Sequence, residues 1–497
     1  MALVDKTRKL LHRKRWENVT PLPVNTAAGS FVVSDKFDLI PNSLAFFMAS
    51  YTSFWRYDGD QDSYTQLPNS GMAGVFGAGA CGEMRMMGAL GGSFLQTCTG
   101  GAAGEMYTNK TIVRDLGGNE AKPVRVRVIK GTGLGFEGTV RRNLVGANST
   151  IYLNNPDGSP ATQLFDATTQ FQIFSGSIWV QGAGAAAGFA VWDLATSAWT
   201  QKAAVGVTWA TDGKLTSTIG SAADFLVSTS TGENTTTTLN DTSKAFMANQ
   251  WANYQVHITG GTGKGQIRGV VSNTATQFTV DAVWDVTPDA TSVYSVEGNY
   301  DNFYLVGNFA VTLYRYKVST NTWTTLAPSV ARAGNQQAGG SFNWLDSVPT
   351  WELESDGKPL PMNGFVYRQN GRYLLSFRGG ATNALDLYDI AANTWISNNA
   401  YGNQMETFTT GSSSLDYGGF IYMLKEGTGR ISRFNVKKWQ LEGFATNPMP
   451  QGTVITGDKL FMLPYKDGGV ETNFLYVQRH TGAEMFRIKL IDQGPQD

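Results

Sequence analysis

LYRYKVSTNTW at 313–323 reads as a strand, a polar turn and a second strand, and the chain repeats it. FWRYDGDQDSY at 54–64, FAVWDLATSAW at 189–199 and LDLYDIAANTW at 385–395 share its plan, with the inner aromatic (Tyr57, Trp192, Tyr316, Tyr388) seven residues before the outer one (Tyr64, Trp199, Trp323, Trp395). ISRFNVKKW at 431–439 shortens the turn, so that Phe434 and Trp439 lie five apart, and FLYVQRHTGAEMF at 474–486 is a sixth, degenerate copy. Side chains on a strand alternate between two faces, and Asp, Asn, Ser and Thr between the aromatics supply the turn, so each copy is a hairpin. Runs at 177–180, 303–306, 373–377, 420–424 and 459–463 add an upstream strand. Each unit is then most of a four-stranded blade, which cannot bury both faces alone and needs a ring of its kind.

This aromatic-turn-Trp pattern, above all LYRYKVSTNTWTTLAP at 313–328, together with the glycine pairs Gly379, Gly380 and Gly418, Gly419, resembles the kelch-type repeat of β-propellers. The resemblance covers roughly half of the chain and implies an all-β propeller of six blades, or seven. Rings avoid open edges by joining their ends, so SFVVSD at 30–35, the first strand-like run, is expected to pair with the last blade. Trp199, Trp323, Trp395 and Trp439 are expected as buried anchors between blades.

Spacing locates what interrupts the ring. Trp395 to Trp439 is 44 residues, one ordinary blade period, whereas Tyr64 to Trp199 is 135 and Trp199 to Trp323 is 124. Two inserted modules account for the surplus, and they are alike. RVRVIKGTGLGFEGTV at 125–140 parallels YQVHITGGTGKGQIRGV at 254–270, with Gly131 and Gly261 130 apart, and DATTQFQIFSG at 166–176 parallels DATSVYSVEG at 289–298. Leaving neighbouring blades at matching points, they should stand side by side. Trp323 to Trp395 is 72, a smaller excursion that takes in 351–362. The expected division is an arm at 1–25, propeller at 26–100, module at 101–170, blade at 171–224, module at 225–298 and the remaining blades at 299–497.

Composition narrows the partners. Among 497 residues, Lys+Arg 39 against Asp+Glu 40 gives net charge −1, so no global field attracts nucleic acid or anionic lipid. With 57 Gly, 16 Pro and 12% aromatics, a turn-dense β protein fits better than disorder or a helical bundle. The two cysteines, Cys81 and Cys98, suit buried, inert thiols rather than a disulfide framework. No apolar run approaches the ~20 residues of a spanning helix, and the N-terminal stretch lacks the apolar core of a secretory signal.

Candidate chemistry is sparse. Gly131 to Gly135 and Gly261 to Gly265 could wrap a phosphate, but Lys264 is followed by Gly265 and a β-rich run rather than a helix, so a turn is expected. Asp58, Asp60 and Asp62 could converge on Ca²⁺, although the sixth and twelfth positions are Ser63 and Asn69, and a solvated turn is expected. His12, His257 and His480 lie in separate segments, which leaves little for metal triads or Ser-His-Asp catalysis. Glu352, Glu354 and Asp356, or Asp386 and Asp389, are conceivable carboxylate sets, with solvated turn acids the simpler reading. Trp209, Trp251, Trp284 and Trp344, if exposed, could stack on sugars. No catalytic, cofactor or metal residue is assigned.

The first seventeen residues carry six Lys/Arg and two acids, a local charge of +4. Leu3, Val4, Leu10 and Leu11 fall on one helical stripe and Pro21 and Pro23 end it. Leu3, Lys6, Arg8, Lys9, Leu10, Arg13, Lys14 and Arg15 are therefore the candidate partner-docking residues. The doubled module resembles a Gly-Thr-Gly-x-Gly element with an Asp-Ala-Thr-Ser-x-Tyr close found in virion structural proteins of tailed bacteriophages. That resemblance implies a non-enzymatic component of the neck, collar or tail, multi-copy and symmetric, with other virion proteins as partners; no cofactor is expected, and charge and segment length add the expectation of no membrane and no sequence-specific nucleic acid. Its expected location is the virion, after synthesis in the host cytoplasm. The alternative is a carbohydrate-binding propeller for attachment to a host surface glycan, and the third a glycoside-cleaving enzyme.

Overall fold

The computed structural model describes residues 16–25, 31–34, 44–50, 53–69, 81–87, 94–113, 115–117, 124–182, 188–207, 213–217, 224–246, 248–297, 302–307, 310–318, 320–337, 340–344, 373–380, 382, 384–397, 413–417, 420–425, 427–428, 430–435, 440–445, 458–467, 470–479 and 483–490. Within them lie six four-stranded antiparallel sheets, the blades of a propeller. The first blade is Phe31–Ser34, Leu44–Ser50, Ser53–Asp58 and Ser63–Leu67, and the second Cys81–Met87, Ser177–Gly182, Phe189–Asp193 and Ala198–Lys202. The third is Lys214–Ser217, Asn302–Val306, Leu313–Lys317 and Thr322–Thr325, and the fourth Ser341–Trp344, Tyr373–Phe377, Leu385–Asp389 and Thr394–Ser397. The fifth is Ser413–Tyr417, Phe420–Leu424, Ile431–Asn435 and Gln440–Ala445. The sixth is Lys459–Asp467, Val470–Gln478, Met485–Leu490 and, from the other end of the chain, Trp16–Val19. The leading strands of successive blades touch in order, and the sixth touches the first, so the ring closes on six.

Closure differs from the expectation for 30–35. Phe31–Ser34 pairs with Leu44–Ser50 as the leading strand of the first blade, and Trp16–Val19 closes the sixth by pairing with Met485–Leu490. Burial explains the exchange: Phe31 and Val33 are apolar and buried, as the ring interior demands, whereas Glu17 and Asn18 are exposed, as an outer edge allows. The stretch expected as an arm thus contains a strand of the ring. Because the N-terminus supplies that outer strand, the copy at 474–486 spans the second and third strands of its blade, whereas the aromatic hairpins of the first five blades are third and fourth strands.

Apolar side chains pack between blades rather than within one. One cluster joins Phe46 and Phe54 of the first blade to Ile178, Trp192 and Trp199 of the second, and another joins Tyr304 and Leu313 of the third to Phe342, Tyr388 and Trp395 of the fourth. The repeat's turn adds a polar staple. Tyr57, Tyr316 and Tyr388 each donate a 2.7 Å hydrogen bond to Asp62, Asn321 or Asn393, five residues on. Those acceptors have φ of 49°, 52° and 48°, a conformation that Asn and Asp tolerate best among residues with a Cβ. Each also reaches the preceding blade: Thr20 N–H donates to Asp62 at 2.9 Å, Ala203 N–H to Asn321 at 2.8 Å, and Asn393 Nδ2 to the Ala327 carbonyl at 3.1 Å. The repeated spacing is therefore a rule for blade-to-blade bonding as well as for hairpins.

Both modules interrupt their blades between the first and second strands. The second blade admits a seven-stranded sheet, in order Phe94–Thr97, Gln170–Ile173, Arg125–Lys130, Glu137–Asn143, Thr150–Asn154, Glu105–Tyr107 and Gly100–Ala102. The third admits Asp224–Thr229, Val293–Glu297, Gln255–Gly260, Ile267–Asn273, Gln277–Val280 and Thr238–Asn240, the same order less one strand. The first module accordingly begins at or before Phe94, ahead of the expected 101, and extends to Ile173, past the expected 170. The excursion of the fourth blade leaves between Ser341–Trp344 and Tyr373–Phe377, the matching point, and 345–372 lies outside the described residues.

Candidate functional site

The Gly-Thr-Gly loops are locks, not anion cradles. In the first module, Thr132 Oγ1 donates to Asp166 Oδ2 at 2.6 Å, Thr168 Oγ1 donates to Asp166 Oδ1, and Thr169 Oγ1 donates to the Thr132 carbonyl. The second module repeats this with Thr262, Asp289, Thr291 and Ser292. Hydrogen bonds from the Thr132 and Thr168 hydroxyls hold the Asp166 carboxyl below the usual carboxylate range, and those from Thr291 and Thr262 do the same for Asp289. Four of the loop N–H groups are already taken: Thr132 N–H by Thr168 Oγ1, and those of Leu134, Gly135 and Phe136 by carbonyls of the same hairpin.

The two hairpin tips meet. A Cβ on Gly265 would lie 2.4 Å from the Gly135 Cα, and these glycines are equivalent, 130 apart. Contact between equivalent positions marks a local two-fold axis, since a translation would not bring them together. Beside it, Arg127 Nη2 is 3.6 Å and His257 Nδ1 is 3.0 Å from Glu297 Oε1, while Arg127 Nε is 3.0 Å and His257 Nε2 is 3.6 Å from Glu137 Oε1. Gln255 and Ser295 also donate to Glu297. Burial pushes Glu297 up, but the hydrogen bond from His257 and the Arg127 charge overcome it and hold its carboxyl at about 2. Arg127 and His257 are themselves equivalent, 130 apart, so one duplicated position has become a cation and an imidazole that share two carboxylates.

This seam borders a half-open cleft of about 420 Å³, lined by Phe136, Glu137, Asn155 and Gln163 of the first module and His257 and Lys264 of the second. Sequence reasoning missed it, having treated His257 as isolated. The available signal was the 130-residue offset, which sets Arg127 beside His257 once the copies dock about a two-fold axis.

Other sequence candidates separate. The docking residues Leu3, Lys6, Arg8, Lys9, Leu10, Arg13, Lys14 and Arg15 lie outside the described residues, as do Glu352, Glu354, Asp356, Trp209, Trp439, His12 and His480. Asp58 and Asp62 are not free to converge on a cation: Asp58 caps its own turn through Asp60 and Gln61 N–H, and Asp62 holds Tyr57 and Thr20. Among the described residues no group of three His, Cys, Asp or Glu is arranged to hold a metal. Asp386 is not a solvated turn acid; it is fully buried, 2.7 Å from Arg332 and from Arg378, which places it in the fourth blade's core. Asp389 is buried too and caps Ala392 N–H. Trp251, Trp284 and Trp344 are 4%, 4% and 7% exposed, which removes them as sugar platforms; each fills a core. Cys98 is buried, and that burial pushes its thiol up to about 12, the state of an unreactive thiol.

No family model and no curated protein matches the sequence. Among solved structures, the chain is similar to the WD40 repeats of RRP9, at 8% identity over 96% of this chain and 100% of that one, with a TM-score of 0.33. An auxiliary nutrient binding protein from Bacteroides thetaiotaomicron is similar at 11% identity over 80% of this chain and 96% of that one, with a TM-score of 0.23. The propeller rests on the strand pairing and ring closure above rather than on these distant likenesses.

Proposed function

We propose that the chain is a non-enzymatic structural component of a tailed-bacteriophage particle, acting at the neck, collar or tail, with other virion proteins as partners. The phage assignment comes from the resemblance of the doubled module, in which Gly-Thr-Gly-x-Gly at 261–265 is followed by Asp-Ala-Thr-Ser-x-Tyr at 289–294, and the same glycine pattern at 131–135 by the variant close Asp-Ala-Thr-Thr-Gln-Phe at 166–171. The observation that best supports an assembly role is that both modules leave adjacent blades at the same point and dock through a buried charge cluster. A closed ring with a fixed double projection is a rigid docking body, and rigid surfaces bind without a large ordering cost. Basic residues between Lys6 and Arg15 add a docking segment to this reading, made in the host cytoplasm and carried into the virion. Quantitative mass spectrometry of purified particles tests it. The chain is expected at a copy number that is a multiple of three or six, and its absence from washed particles would overturn the proposal.

A further inference from the structure

We propose that the cleft between the two modules binds a single neutral sugar residue. Duplication provides the first support. The local two-fold axis relates two surfaces, and at the counterpart of the cleft Phe136 is replaced by Gln266. There, Gln266 is fully buried and closes the surface: its Nε2 donates to the Val286 carbonyl at 2.7 Å, and Val286 N–H donates back to its Oε1 at 3.0 Å. On the cleft side Phe136 has no amide with which to close the surface in this way. Phe136 turns edge-on to Phe165 at 5.3 Å, and space opens between it and the second module. Lys264 stands where the first module has Leu134, and Glu137 where the second has Ile267, so polar groups have gathered on one of two related surfaces.

Chemistry of the lining selects the ligand class. A volume of about 420 Å³ lies within the range of roughly 300–1,000 Å³ typical of small-molecule sites. An anion meets the Glu137 carboxylate and finds the Leu134, Gly135 and Phe136 N–H groups already taken. A cation meets Lys264, and Glu137 is already paired with Arg127. What remains is a ring whose groups both donate and accept. The Glu137 and Gln163 oxygens accept, the Lys264 ammonium donates, and the Thr259 hydroxyl does either, which matches the hydroxyls of a pyranose. Phe136 supplies an apolar aromatic surface beside these groups, suited to the apolar face of such a ring.

The test uses the full chain with neutral hexoses, N-acetylhexosamines and their short oligomers as probes, followed by saturation-transfer NMR and calorimetry. Gln163 and Lys264 are exposed, so the double variant Gln163→Ala with Lys264→Ala is expected to keep the wild-type melting curve and to lose roughly tenfold or more in affinity, about 1.4 kcal/mol. Phe136→Leu, which keeps apolar volume and removes the ring, is expected to lose binding likewise, whereas Val283→Ala, at an exposed position of the second module outside the cleft lining, is expected to bind normally. Saturable binding by no neutral sugar, unchanged affinity in the double variant, or displacement of bound sugar by inorganic phosphate would each overturn the proposal. Because it does not rest on the particle reading, its failure leaves that reading standing.

Discussion

Gly131 and Gly261 hold φ of 77° and 70°, and a Cβ at either would stand 2.0 Å from a backbone carbonyl oxygen, of Thr168 or Thr291. Backbone cannot retreat as a flexible side chain can, so substitution adds a clash to the strain of a left-handed conformation. Gly158, at φ 84° with open space around it, carries the strain alone. Gly131→Ala is therefore expected to destabilise by more than ~3 kcal/mol and Gly158→Ala by about 1 kcal/mol, as read by urea unfolding. The charge cluster makes a second prediction. Glu297→Ala removes the carboxylate shared by buried Arg127 and His257 and is expected to cost about 3 kcal/mol at neutral pH. The folded carboxyl lies at about 2, below its ordinary 4.5, so the stabilisation is complete above that ordinary value, declines as pH falls through the interval and is gone below the folded value. Unfolding measured from pH 6 downward should show wild type and variant converging; a constant gap would remove Glu297 from the acid limb.

Trp16–Val19 is the element on which ring closure depends, and three contacts outside the ladder secure it. Arg487 Nε lies 2.7 Å from Glu17, Thr20 binds Asp62, and Leu22 is 1% exposed in the cluster that joins the first and sixth blades. Truncation through residue 15 removes the basic docking segment and leaves these contacts, whereas truncation through residue 22 removes all of them. The shorter truncation is expected to melt as wild type and to fail in particle incorporation. The longer one is expected to lose at least ~2 to 5 kcal/mol, the cost of Leu22 alone, and to expose the edge of the sixth blade. Normal incorporation of the shorter form would move the docking surface from the segment to the modules.

At the scale of the molecule, stability resides between blades. Trp199 and Trp395 are 8% and 2% exposed, each in a cluster drawn from two blades, and Trp323 is half-buried with its indole N–H on the Ala203 carbonyl of the neighbouring blade. Trp199→Ala and Trp395→Ala are each expected to cost ~3 to 5 kcal/mol, and Trp323→Ala less, measured by denaturant unfolding. Stable variants that lose only partner binding would make these residues contacts rather than anchors.

The sequence alone determined the hairpins, because Tyr57 and Tyr64, or Tyr316 and Trp323, stand at a spacing set within one turn, where local geometry decides. It also determined that two modules interrupt the ring, since a strand period interrupted and resumed can be counted, whereas the bounds of the first came from strand pairing. Which strand closes the ring was decided by tertiary structure: a short, half-exposed run such as Trp16–Val19 carries no pattern of its own, and only the open edge of Met485–Leu490 makes it a strand. Burial of Trp251, Trp284 and Asp386 was decided in the same way, since a residue type does not reveal which neighbour covers it. The cleft belongs wholly to the tertiary level. Glu137 and His257 are 120 residues apart, and their meeting depends on how the two modules are turned against each other, which no local periodicity records.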